Sequence, residues 1–260
     1  MDALLVAGCA AGGFVIGDLA EPLADRLPKR LPLDRPWWRC PECGAPDSAG
    51  IPVLNRLYRD RECKACGKSR HSYRPLVQAV VTGAVLAGMA VRFGPDLVLA
   101  AYAVVGVALV AISIIDIEVH MVPNRIVYPA GFVATPLLVL AAAVDHRWTA
   151  LWHAAASAAI GFTALYLIHF IYPRGMGFGD VRLAAIVGGS SGWFGFRALF
   201  IAFFLSFLLG SLGGVTQIAL TGGNRKTQFG FAPYLALGAI VVVIFTSPIF
   251  RLFHPFLYRS

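Results

Sequence analysis

From residue 75 onward the chain is a succession of apolar runs, most of them close to the roughly 17–25 residues with which a helix crosses a bilayer. That pattern leaves few folds open. In lipid every backbone N–H and C=O must find its partner inside the protein, so only helices or closed barrels can span, and runs of this length read as helix. The composition agrees: 58% of residues are hydrophobic and 14% charged, with a mean hydropathy of +0.70, whereas about a quarter of a soluble domain is charged. The expected fold class is all-α, a polytopic integral membrane helical bundle of about eight transmembrane helices. Spans are expected near 3–20, 75–91, 97–115, 126–144, 151–171, 182–194, 196–219 and 231–250. The segment 182–194 is short and Gly-rich, and reads either as a half-span or as part of its neighbour. The first run has no basic n-region and ends in Gly17-Asp18 instead of a small-x-small site, so it is read as a span and not as a cleaved signal.

Basic residues set the expected orientation, because short loops rich in Lys and Arg stay cytoplasmic. Twelve of the 22 lie between Arg26 and Arg74. With eight alternating spans, Arg125, Arg174, Arg182, Arg225 and Lys226 join them on one side, and Arg92, Arg147, Arg197, Arg251 and Arg259 fall on the other. The large polar loop is therefore expected in the cytoplasm. The formal net charge of +8 is accounted for by topogenic charge and attraction to anionic membrane lipid, and no nucleic acid is expected as a partner.

Composition changes at about residue 75, which divides the chain into 1–74, a first span plus a polar loop, and 75–260, a polytopic domain. The loop holds four of the five cysteines, as Cys40-Pro41-Glu42-Cys43 and Cys63-Lys64-Ala65-Cys66, with 19 residues between the pairs. Two C-x-x-C pairs at that separation are the pattern of a four-thiolate zinc site. Six prolines between Pro28 and Pro52 argue against long helix, so a module this small needs a staple. A structural zinc on Cys40, Cys43, Cys63 and Cys66 is expected, with redox-active pairs as the alternative. Four thiolates leave no open position for zinc catalysis.

Acidic residues are scarce after Arg74: Asp96, Asp116, Glu118, Asp145 and Asp180 only. Asp96 and Asp145 sit in short connectors. Asp116 closes one apolar run, and Asp180 opens another after Gly175-Met176-Gly177-Phe178-Gly179. An ionisable group at a membrane boundary is costly and is by default a functional-site hypothesis. Both fall on the expected cytoplasmic face, where they can meet. Gly177 and Gly179 let backbone come close to another group and are read as positioning residues. Two carboxylates a few ångströms apart share one proton and titrate as a unit, the arrangement with which aspartic peptidases activate water. Helix dipoles assign Asp180, at a helix N-terminus, the anion and Asp116, near a C-terminus, the proton. The alternative is a Gly-rich capping turn with Asp180 as N-cap.

These residues together resemble the type IV prepilin peptidases, membrane aspartic proteases of the GxGD kind. The resemblance covers most of the chain. It rests on the two cysteine pairs, Tyr73-Arg74-Pro75-Leu76-Val77, Asp116 with Val122-Pro123, Gly177-Phe178-Gly179-Asp180-Val181-Arg182-Leu183, and Phe229-Gly230-Phe231-Ala232-Pro233-Tyr234-Leu235-Ala236. It implies catalytic aspartates at Asp116 and Asp180, an inner bacterial membrane with the site facing the cytoplasm, and prepilins or pseudopilins as substrates, cut just after a glycine. Many members also N-methylate the new terminus with S-adenosylmethionine. Here the first span ends Gly17-Asp18-Leu19-Ala20-Glu21-Pro22 where the family carries a Gly-Ser-Phe-Leu-Asn-Val-like string, so methyl transfer is left open. Asn124 and Gln78 stand where aspartate and glutamate are common. A presenilin-like protease is the neighbouring alternative, although the Tyr-Asp pair of that group is absent at Ile115-Asp116. From another class, a transporter component or a membrane scaffold with a docking zinc module would need the cysteines and not the aspartates.

Overall fold

The structure, a computed structural model, describes residues 3–26, 65–66, 74–173, 176–221 and 230–257. The described chain forms eight helices and no strand: α1 (Ala3–Arg26), α2 (Arg74–Phe93), α3 (Val98–Val119), α4 (Asn124–Val144), α5 (Trp148–Ile171), α6 (Phe178–Gly192), α7 (Phe196–Thr221) and α8 (Ala232–Leu257). Six of them, α1 to α5 and α7, are long and apolar enough to cross a membrane. The other two depart from the expected set of about eight spans. With 15 residues, α6 rises only about 22 Å, against about 30 Å of hydrocarbon. It begins at Phe178, four residues before the expected 182, and a turn with Gly195 at φ +99° separates it from α7. In α8 the path bends at Phe245 (φ −106°, ψ 23°), three residues before Pro248 in the sequence, as a proline inside a helix costs a backbone hydrogen bond and kinks it.

Successive helices alternate in direction. At one end of the bundle Asp96 and Arg147 lie 3.8 Å apart, the rings of Phe93 and Tyr102 stack at 4.7 Å, and the Tyr102 hydroxyl donates to the Ser190 carbonyl over 2.5 Å. The C-terminus of α6 is anchored there. Its N-terminus lies at the other end, with the close of α3 and the start of α8. Between them α6 is apolar on nearly every side, as a helix inside a bundle must be. Val181, Leu183, Ala184 and Val187 are all fully buried against Leu109 and Ile112 of α3 and Leu235 and Ala239 of α8. Small residues allow the tight approach of α5: a Cβ on Gly188 would stand 2.4 Å from the Ser157 carbonyl oxygen.

Of the cysteines expected to hold zinc, Cys40, Cys43 and Cys63 lie outside the described residues, and Cys66 sits exposed in a two-residue turn. Among the described residues no group of three or more His, Cys, Asp or Glu is placed to hold a metal.

Candidate active site

Asp116 lies one turn before the end of α3, where the helix stops because His120 takes the left-handed conformation (φ 51°, ψ 44°) and its N–H closes on the Asp116 carbonyl. Pro123 then starts α4 from an extended backbone. The Asp116 side chain is only 3% exposed, and a carboxylate buried to that degree needs partners. One is the backbone N–H of Ala232, the first residue of α8, which donates to Asp116 Oδ2 over 3.1 Å. The His120 ring is also close enough for its charge to act on Asp116. Glu118 is exposed.

Asp180 is the third residue of α6, and its side chain is 8% exposed. It lies outside the six span-length helices. Burial, with the Asp116 charge added to it, pushes the Asp180 carboxyl up to about 7, against a hydrogen bond from the Gly177 backbone. The two aspartates are thus near enough to act on each other. Desolvation and a like charge work against the helix-dipole expectation of an anionic Asp180.

The two glycines of the Gly-Phe-Gly-Asp segment have different roles. A Cβ on Gly179 would stand 2.7 Å from the Val122 Cβ, so this glycine is what lets the start of α6 sit against the α3–α4 connection. Gly177 has an ordinary extended backbone (φ −68°, ψ 142°) as the cap of α6, and an added Cβ would meet nothing nearer than Asp180 Oδ2 at 3.7 Å.

Three further residues hold this arrangement. His169, in the last turn of α5, donates from Nδ1 to the Met176 carbonyl over 2.8 Å and packs on the Phe178 ring at 5.4 Å, fixing the segment that delivers Asp180. Arg182 donates to the Asn124 side chain and lies 4.5 Å above the Phe178 ring, linking α6 to α4. Ala232 is the third. A histidine eleven residues before Asp180 and at the end of an apolar run was the available sequence signal for His169. A backbone N–H has none.

Residues 103–215 match the model of the type IV leader peptidase family. Over 241 residues the chain is 32% identical to a prepilin leader peptidase/N-methyltransferase of Bacillus subtilis, an alignment that covers 91% of this chain and 93% of that protein. A protein of the same name from Pseudomonas putida is 31% identical over 85% of this chain and 76% of its own length. One from Pseudomonas aeruginosa is 28% identical over 84% and 74%. No solved structure matches the chain.

Proposed function

The chain belongs to the type IV leader peptidase family, and from that premise we propose that Asp116 and Asp180 are the catalytic pair with which it cleaves the leader of prepilin-like proteins. One observation carries this reading: two buried carboxylates from different helices converge at one end of the bundle, and the charge on Asp116 is felt at Asp180.

Holding one proton between them, the pair has the groups that hydrolysis needs. The charged carboxylate takes a proton from water as the water oxygen attacks the scissile carbonyl carbon. The protonated carboxyl gives its proton to the carbonyl oxygen, leaving a neutral gem-diol. As the C–N bond breaks, the first carboxyl passes its new proton to the departing amine and the second recovers one from the diol. Each turnover returns the pair to its starting state.

A leader peptide suits this position. A short basic segment ahead of an apolar helix brings its scissile bond to the membrane boundary, and the site end of the bundle, read as cytoplasmic from its Lys and Arg, lies at that level. The four thiolates of Cys40, Cys43, Cys63 and Cys66 fit zinc by donor chemistry. A zinc there would staple the polar half of 1–74, leaving 75–260 to carry the chemistry. S-adenosylmethionine would be the donor for the second activity in the relatives' names. No residue here is assigned to it.

The test is cleavage of a prepilin by membranes containing the wild type, Asp116→Asn or Asp180→Asn at matched abundance. Loss of leader removal in both variants, with the helical fold kept, is the expected result; normal cleavage by either one overturns the pair. Mass spectrometry of the product N-terminus reads methylation in the same samples.

A further inference from the structure

The start of α8 reaches Asp116 in a way that neither peptide chemistry nor the Gly-Phe-Gly-Asp segment requires. The Ala232 N–H donates to Asp116 Oδ2 over 3.1 Å in a buried setting. Two residues earlier, an added Cβ on Gly230 would stand 2.4 Å from the same oxygen and 3.0 Å from the carboxyl carbon. The turn therefore presses bare backbone onto the carboxylate and aims an N–H at it. Phe231 caps α8, its carbonyl accepting from the N–H groups of Tyr234 and Leu235, so Ala232 occupies the first helical position, where N–H groups lack helical partners.

We infer that the Gly230–Ala232 turn is a positioning device that makes the pair unequal: it pins Asp116 Oδ2 as an acceptor, so that Asp116 activates the water and Asp180 carries the proton to the substrate. A backbone N–H favours the charged form of the carboxylate it meets, and burial opposes it at both aspartates; at Asp180 the Asp116 charge adds to burial against the Gly177 backbone bond. The other groups around Asp116 permit the same division. Asp180 of α6 is pushed up to about 7, His120 lies at the end of α3, Arg125 of α4 is exposed, and the first turn of α8, Ala232–Leu235, holds no charge. The inference rests on the aspartic peptidase reading and adds to it the residues that decide which carboxylate does what.

The experiment is the pH profile of prepilin cleavage by purified full-length protein, for wild type, Gly230→Ala, Ala232→Pro and Gly238→Ala. Proline is tolerated at the first helical position and deletes the N–H. Gly238, on the same helix as Ala232 but away from the aspartates, is the control, since a Cβ there would strike Ser206 Oγ of α7. In Gly230→Ala and Ala232→Pro, kcat is expected to fall by about tenfold or more with KM little changed, as a misplaced catalytic group predicts. The acid limb should move to higher pH. In Gly238→Ala the limb should stay, whatever the loss of folded protein. The limb does not depend on how much protein folds, so poor yield leaves the test intact. An unmoved limb in both Gly230→Ala and Ala232→Pro overturns the inference. Full activity in Asp116→Asn would instead overturn the peptidase reading beneath it.

Discussion

A carboxyl pushed up to about 7 in the folded protein holds its proton where an unfolded chain has lost it. Between the ordinary aspartate range near 3.8 and about 7 the folded state binds more protons than the unfolded one, so Asp180 lowers stability progressively as pH rises through that window. Asp180→Asn removes the burden. Its melting temperature in detergent should match the wild type near pH 4 and exceed it by several degrees at pH 8; a constant difference across pH would show that the Asp180 charge is not responsible. Activity runs the same way, because the pair needs one proton, and cleavage should fall as pH rises above about 7. Gly179→Ala tests the neighbouring contact. A Cβ 2.7 Å from Val122 Cβ must displace the start of α6 or the α3–α4 connection, and a displacement of about 1 Å at a catalytic group costs on the order of 10²-fold in rate. Val122→Ala in the same chain should recover much of that loss. Failure of the double variant to recover would place the defect elsewhere.

At the scale of elements, α6 shows what could be read ahead of the structure and what could not. That residues 182–194 differ from an ordinary span was legible from their glycines and their length, and so was the candidacy of Asp116 and Asp180 in a stretch with so few acids. The boundary was not. A helix that begins inside the Gly-Phe-Gly-Asp segment is set by packing against Val122 and by the His169 bond to Met176, contacts that join separate segments of the chain and leave no local pattern. The proton assignment was not legible for a related reason: a dipole argument uses only the position of Asp180 in its helix, whereas the burial that opposes it depends on all the helices around. The seam between α5 and α6 gives an element-level prediction. Gly188→Ala puts a Cβ 2.4 Å from a backbone carbonyl, which cannot swing aside as a side chain does, so overpacking should cost about 1–3 kcal/mol. Thermal unfolding should record it. The pH limbs of cleavage should stay in place, since α6 is loosened far from Asp180; a moved limb would mean that the seam also sets the site.

For the whole molecule, the alternation of the helices ties the orientation of the site to the distribution of charge. The α3–α4 connection lies at the site end with Asp116, and the α4–α5 connection, Asp145 to Arg147, lies at the opposite end with Asp96. In the sequence, most of the 22 basic residues lie in the stretches that separate α1 from α2, α5 from α6 and α7 from α8, and the positive-inside bias would hold those stretches in the cytoplasm. Single cysteines at two exposed positions separate the ends. Glu118→Cys should react with a membrane-impermeant maleimide only after spheroplasts are opened, and Asp145→Cys should react while they are intact, each measured above the labelling of the parent chain. The reverse pattern would turn the site outward, away from a basic leader still held in the cytoplasm. The two labels also test the fold without reference to chemistry, because α4 alone joins the two connections. If both cysteines react from the same side, α4 does not cross, and the antiparallel order that carries α3 and α6 to a common end loses its support.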